Sequence, residues 1–380
     1  MGETMAAMNA SWVKHPGFYI KEEMEERGLL QRDLAFILGC SEQALNRILS
    51  GKGGITAEMA KALGDAFDVS PEFFANLQQA HDLAKANPPD PGVAARSKMQ
   101  GIFPVREMIK REWIRPDHAT LEQQLVLFFD AKSYDQIPYL RHAAKKGDSY
   151  EQREIQPEQL AWLYRVRQIA KSISVPKYSE NKLRSALEKL EPLLQAPEEV
   201  RHVPRLLMEC GVRFIIVEKL VRAKIDGVAF WVDDSPVIGM SIMRDRIDNF
   251  WFCLRHEIEH VLRGHGKEKE GEMIDADLEQ QAMLQQSEEE RVANEAASDF
   301  CIPMGKFNDF WSRKKPFFSE KDVIAFAILN NRHPGLVVGQ IRKRSEKWNY
   351  LTRYLPKIRQ YVLTGGAIYD GWGQVVPVSL

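Results

Sequence analysis

The sequence predicts a chain of several domains: an all-α N-terminal part, a helical middle region, and then an α+β part. Three observations carry this. The segment Asn87-Pro88-Pro89-Asp90-Pro91-Gly92 is a proline-rich break that neither helix nor strand can hold. Short helical patterns separated by turn residues fill the chain before it. After about residue 200 the apolar period changes, and short β-branched segments bounded by turns take over. The boundaries read from this are 1–86, 87–200 and 201–380, consistent with 380 residues at roughly 100–200 residues per domain.

Composition narrows the class. Hydrophobic residues are 44% and charged residues 28%, enough apolar material for real cores, which excludes a wholly disordered or collagen-like chain. No apolar run reaches the ~18–20 residues of a membrane helix, and the N-terminus lacks a charged segment followed by an apolar one. The expectation is a cytoplasmic protein with no membrane partner. Cys40, Cys210, Cys253 and Cys301 include no C-x-x-C pair, so neither a disulfide framework nor a cysteine zinc knuckle is suggested. The net charge of −1 hides opposed parts: residues 1–86 sum to −4 and the remainder to +3.

Within 1–86 the elements follow in order. Phe18, Ile20, Met24 and Leu29-Leu30 outline a first helix ending at Gly28, and residues 31–38 a second closed by Gly39. Ser41 is an N-cap for a third, Glu42–Leu49, stopped by Gly51. Thr56 opens a fourth over Ala57–Phe67, and Ser70-Pro71 a fifth running to about residue 86. Two short helices joined by a tight glycine turn match helix-turn-helix geometry. The second of that pair offers Ser41, Glu42, Gln43, Asn46 and Arg47 outward, with Ala44, Leu45 and Ile48 inward. Gln, Asn and Arg pair with base edges, while Gln31 and Lys52 suit phosphates. The competing account is a small helical bundle whose polar faces are only solvated.

His15-Pro16-Gly17, Gln31-x-x-Leu34-Ala35-x-x-Leu38-Gly39, Ile48-Leu49-x-Gly51-Lys52, Ile55-Thr56-x-Glu58-Met59-Ala60 and Ser70-Pro71-Glu72-Phe73-Phe74-x-x-Leu77-Gln78 resemble the HigA antitoxin branch of the lambda-repressor-like (Xre) regulators. The resemblance spans about residues 12–86. It implies a homodimer reading a palindromic operator, often its own promoter, and a toxin partner. Glu42, an acid at the front of the recognition helix, departs from a simple DNA-facing surface: it can accept from a cytosine amino group but repels a misplaced phosphate.

Beyond the break, residues 121–129 and 160–173 are the strongest helical segments. Residues 213–217, 228–232 and 237–242 read as strands, and 249–263, 288–301 and 322–330 as helices. The tail from Gly365 carries no clear pattern.

His256-Glu257-Ile258-Glu259-His260 is the most informative pentapeptide. Histidines four apart on a helix share a face and can reach one metal ion, while Glu257 lies about 100° round the helix, beside the site. There it can take a proton from a water that zinc has acidified, the chemistry of metal-assisted peptide hydrolysis. Asp248 or Asn249 suits the helix N-cap and Gly264 its end. A catalytic zinc needs a third protein ligand and an open fourth position. Arg263 and Gly266 stand where a metzincin would need glycine and histidine, which excludes that class, and His265 lies past the helix end. Glu289 and Glu290 on the following helix both sit at the edge of its inward stripe of Ala293, Ala297, Phe300 and Cys301, so periodicity does not separate them. Glu290 with Ser287 also forms a capping box, which needs no metal, and Glu288 suits the helix dipole.

Gly227-x-Ala229-Phe230, Pro236-x-Ile238-Gly239, Arg244-x-x-x-Asp248-Asn249-Phe250-Trp251-Phe252, the H-E-x-x-H, and Glu290-x-x-Ala293-Asn294-x-x-Ala297-x-x-Phe300-x-x-Pro303 resemble the ImmA/IrrE metallo-endopeptidase family. The resemblance covers about residues 201–344, and residues 103–113 look like forms in which this peptidase follows a HigA-type domain. It implies an α+β zincin-like (gluzincin-type) fold, Zn2+ held by His256, His260 and Glu290, Glu257 as general base, and a regulatory protein such as a repressor as substrate. His333, in the closing segment His333-Pro334-Gly335-Leu336-Val337-Val338-Gly339, is a candidate oxyanion stabiliser; it also reads as a turn residue before Pro334. Three residues depart from the family pattern: Glu259 replaces a small residue, Val292 stands where an acid is frequent, and a histidine is displaced to His265.

Residues 340–360 mix Arg342, Lys343, Arg344, Lys347, Arg353, Lys357 and Arg359 with Trp348, Tyr350 and Tyr354, either a solvated helix face or a nucleic-acid surface. The functional expectation is a DNA-binding regulator with a zinc endopeptidase domain. The alternative is a non-proteolytic, antitoxin-like autorepressor whose metal domain senses a ligand or binds a toxin.

Overall fold

The computed structural model describes residues 13–88, 90, 92–117, 119–137, 156–267 and 288–378. The chain forms two compact units, Met1–Asp90 and Pro91–Leu380.

The first unit contains α1 (Pro16–Glu26), α2 (Gln31–Ile37), α3 (Glu42–Leu49), α4 (Ala57–Phe67) and α5 (Pro71–Lys85). Side-chain caps start four of them: His15 Nδ1, Ser41 Oγ, Thr56 Oγ1 and Ser70 Oγ each accept from a backbone N–H of the first turn. Ile20, Leu34, Leu45, Leu63, Phe67 and Phe74 make the fully buried centre. Gly39, with φ +64°, reverses the chain between α2 and α3. At Gly17 a Cβ would lie 2.2 Å from the Ile48 carbonyl oxygen, so α1 lies against α3 only because no side chain intervenes. One sequence expectation fails. Ala44 is exposed, and the buried stripe of α3 is Leu45, Ile48 and Leu49, because a helix of eight residues buries only the i, i+3, i+4 face.

The second unit is a four-stranded sheet in the order β2-β3-β1-β4, with β1 (Arg213–Val217), β2 (Gly227–Val232), β3 (Ser235–Met240) and β4 (Ile368–Asp370). β1 is parallel to both β3 and β4, and β2 is antiparallel to β3 with Gly227 opposite Met240. Period-two alternation sends side chains to two cores. Phe214, Ile216, Trp231, Ile238 and Met240 enter one, shared with the helices that carry the histidine pair. Ile215, Val217, Val228, Val232 and Val237 enter the other.

That second core is built by the middle region, so from Pro91 on the segments read as 87–200 and 201–380 fold as one unit. α6 (Gly92–Gln100), α7 (Val105–Lys110), α8 (Leu121–Phe128) and α9 (Pro157–Ser172) bring Met99, Met108, Trp113, Phe128, Trp162 and Val166 against the sheet. α9 fits closely: a Cβ on Gly239 would lie 2.7 Å from a Val166 methyl. The tail also finds a role. Asp370 of β4, 1% exposed, takes bonds from Arg165 (2.6 Å), the Trp113 indole (2.8 Å) and the Val376 N–H (3.1 Å).

The other sheet face carries α12 (Ile247–Leu262) and α13 (Glu288–Cys301), with α10 (Glu180–Leu190), α11 (Val203–Glu209), α14 (Met304–Lys314), α15 (Glu320–Leu329), α16 (Pro334–Ser345) and α17 (Arg359–Thr364) around them. Neither expected cap of α12 acts as one. The N-cap position is Arg246, which pairs with Asp248 at 3.0 and 2.8 Å, and Asn249 donates to Asp226.

A helix-turn-helix face and a histidine–glutamate cluster

In the first unit, α2, the Gly39 turn and α3 set out one polar face. Gln43, Asn46, Arg47 and Lys52 are exposed. The Arg47 carbonyl accepts from the N–H groups of Lys52 and Gly53, at 2.8 and 2.9 Å, which fixes the loop carrying Lys52 to the end of α3. Ser41 caps α3. Gln31 is engaged otherwise than its sequence position suggests: its amide donates to the Glu42 carbonyl at 3.0 Å and ties α2 to the start of α3.

In the second unit, α12 and α13 lie side by side. His256 and His260 project from one face of α12, and their Nε2 atoms stand 3.1 Å apart. Glu290, in the first turn of α13, places one oxygen 3.3 Å from His256 Nε2 and the other 3.2 Å from His260 Nε2. The three donors all lie within 4.8 Å of one another. Geometry thus separates the two glutamates that periodicity left together: Glu289 lies instead 3.7 Å from His265 Nε2. Ser287, and with it the capping box, lies outside the described residues.

Electrostatics fit an anionic cluster. Burial works to raise Glu290, but hydrogen bonds from both histidines outweigh it and hold the carboxyl at about 2. His256 is pushed up: burial acts to lower it, but Glu290, the Glu257 charge and Asn294 prevail. Glu257 is raised chiefly by burial. It lies under the first residue of β2, for a Cβ on Gly227 would meet Glu257 Oε1 at 2.8 Å and Cys253 Sγ at 2.6 Å. Glu259, the departure with most potential to disturb this charge balance, is neutralised on its own helix by Arg255 (2.8 Å) and Arg263 (2.7 Å).

His333 is the N-cap of α16. Its Nδ1 accepts from the Gly335 N–H at 3.0 Å and its own N–H bonds Leu194 O at 2.9 Å, so the turn role describes it. Burial lowers its pKa. Part of the basic stretch 340–360 contacts aromatic rings of the unit: Lys343 lies over Phe252, Arg344 over Trp311, and Arg359 over Trp372, while Lys347, Trp348, Arg353 and Lys357 are exposed. Phe252 in turn stacks on His256, with ring centroids 6.3 Å apart. That neighbour was legible as the residue one turn before His256; Lys343, arriving on a distant element, was not.

The first unit is thus a helix-turn-helix domain, and the second is an α+β unit with a half-buried His–His–Glu cluster. Residues 20–74 match the HTH_3 helix-turn-helix family model. The chain is 40% identical over 72 residues to virulence-associated protein A' of Dichelobacter nodosus, covering 19% of this chain and 63% of that protein. It is 35% identical over 71 residues to the uncharacterized HTH-type transcriptional regulator YddM of Escherichia coli, covering 19% of this chain and 76% of YddM. Through this domain the chain belongs to the helix-turn-helix family. Among solved structures it is similar to the antitoxin GraA (35% identity, 23% of this chain and 86% of that one, TM-score 0.19). A second similar structure is an addiction-module antidote protein of the HigA family from Coxiella burnetii (28% identity, 28% and 98%, TM-score 0.19).

Proposed function

We propose that this chain is a DNA-binding transcriptional regulator carrying a zinc-dependent endopeptidase. The observation that carries the peptidase reading is the triangle of His256 Nε2, His260 Nε2 and Glu290, with edges of 3.1, 3.3 and 3.2 Å. Ligand atoms at ~2.0–2.1 Å from a tetrahedral zinc stand about 3.3 Å apart, so this donor set fits the ion and leaves a fourth position free. When bound, zinc would lower the pKa of a water and polarise a peptide carbonyl.

The chain's own residues do the rest. Glu257, buried on the same helix beside the histidine pair, is suited to take a proton from that water and to deliver it to the departing amine. β2 is the terminal strand in the sheet order. A substrate segment added along its outer edge would pass Gly227 and so come beside Glu257. With a DNA reader on the same chain, the substrate is a regulatory protein such as a repressor.

On the DNA side, α3 presents Gln43, Asn46 and Arg47 to base edges, with Ser41 and Lys52 near the backbone. Because residues 1–86 sum to −4, affinity comes from that local face and is weak away from a specific site. The reader acts as a homodimer on a palindromic operator, its own promoter by resemblance, and the same resemblance names a toxin partner.

The test is Glu257→Gln. The variant keeps zinc binding and operator binding, while a reporter driven by the chain's own upstream region loses its regulated response. If the response survives with zinc bound, the metal domain is a non-proteolytic sensor or toxin-binding module and the peptidase reading falls.

A further inference from the structure

We infer that His265 is a positioning residue that fixes the tautomer and orientation of His260 as a metal ligand; this rests on the metal-site reading above. His260 Nδ1 lies 2.8 Å from His265 Nδ1. If His260 offers the Nε2 lone pair that faces His256 and Glu290, its proton sits on Nδ1 and must be donated away from the site. His265 Nδ1 is then the acceptor. Its own proton accordingly sits on Nε2, on the side of Glu289, 3.7 Å away. With the protons so placed, the tautomer of each ring is determined by the next. A ligating histidine ordinarily hands its second N–H to a carboxylate, carbonyl or water, and losing that partner typically costs 10–100-fold in metal affinity; here an imidazole takes the place.

The surrounding chain is built to hold His265 there. Gly264 (φ +67°) and Gly266 (φ +80°) turn the chain back at the end of α12 through conformations that favour glycine. The His265 N–H bonds the His260 carbonyl at 3.1 Å, and the Trp231 indole of β2 donates to the His265 carbonyl at 3.0 Å. A residue that lies past the helix end in sequence is thereby folded against the outer edge of His260.

The experiment measures zinc affinity by chelator competition, and the visible spectrum with Co2+, for wild type, His265→Ala and His265→Asn. The alanine variant should bind zinc about 10–100-fold more weakly. Asparagine keeps an acceptor near the Nδ1 position and should return to within about threefold of wild type, with an unchanged Co2+ spectrum. Wild-type affinity in His265→Ala overturns this inference alone. Equal weakness in both variants with an altered Co2+ spectrum also overturns it, because His265 would then itself be a ligand. Failure of the wild type to bind zinc overturns both this inference and the metal-site reading.

Discussion

Glu259 is by charge the residue least suited to its place, the second of two carboxylates between two histidines. Its tolerance is local. Burial acts to raise it, but the hydrogen bonds from Arg255 and Arg263 prevail and its pKa is lowered. A depressed folded pKa means that its stabilising contribution is complete above the unfolded value of about 4.3 and is lost as pH falls through the folded value. Glu259→Gln should therefore reduce stability by about 1–3 kcal/mol near pH 7. The gap to wild type should close below about pH 4, as read from denaturant unfolding across pH. A gap that widens on acidification would contradict this assignment. Among the described residues Glu257, two residues earlier, pairs with no arginine, and burial moves it the other way. One helical turn thus carries two glutamates whose pKa values are moved in opposite directions.

At the scale of elements, legibility followed locality. α3 runs over the residues that its N-cap Ser41 and the stop at Gly51 predict, and α4 over those that its N-cap Thr56 opens, because those signals are local. The H-E-x-x-H face was equally legible, since i, i+4 spacing needs no tertiary information. Periodicity did not choose Glu290 over Glu289, because both edge the same stripe; the family resemblance names Glu290, and the packing of α13 on α12 brings it to the histidines. Nor was the destination of the middle helices legible: their apolar faces show that they pack, but not that Val166 meets Gly239. In the first unit, capping and turn signals give α3, but they leave open which polar residues face outward and unengaged. Gln31, bonded to Glu42 O, is one that sequence alone assigns to DNA. Arg47→Ala and Asn46→Ala should each weaken binding to the upstream intergenic region by about 10–100-fold, at ~1–3 kcal/mol per base contact. Gel-shift titration at fixed salt checks this, and indifference to both would remove α3 as the reading helix.

At the scale of the whole molecule, one chain joins a helix-turn-helix unit to an α+β unit whose sheet is covered on both faces. The middle region covers one face and the histidine-bearing helices the other, and the Asp370 network ties the C-terminal strand to Trp113 and Arg165. In the proposed function the second unit cleaves a protein and the first directs the chain to DNA. The measurement that tests this most directly is incubation of purified wild-type and Glu257→Gln protein with cell lysate, followed by mapping of new peptide ends. The expected result is a small set of new ends that depends on Glu257, disappears on chelation of zinc, and falls within a DNA-binding regulatory protein. Identical end profiles for wild type and Glu257→Gln would contradict it.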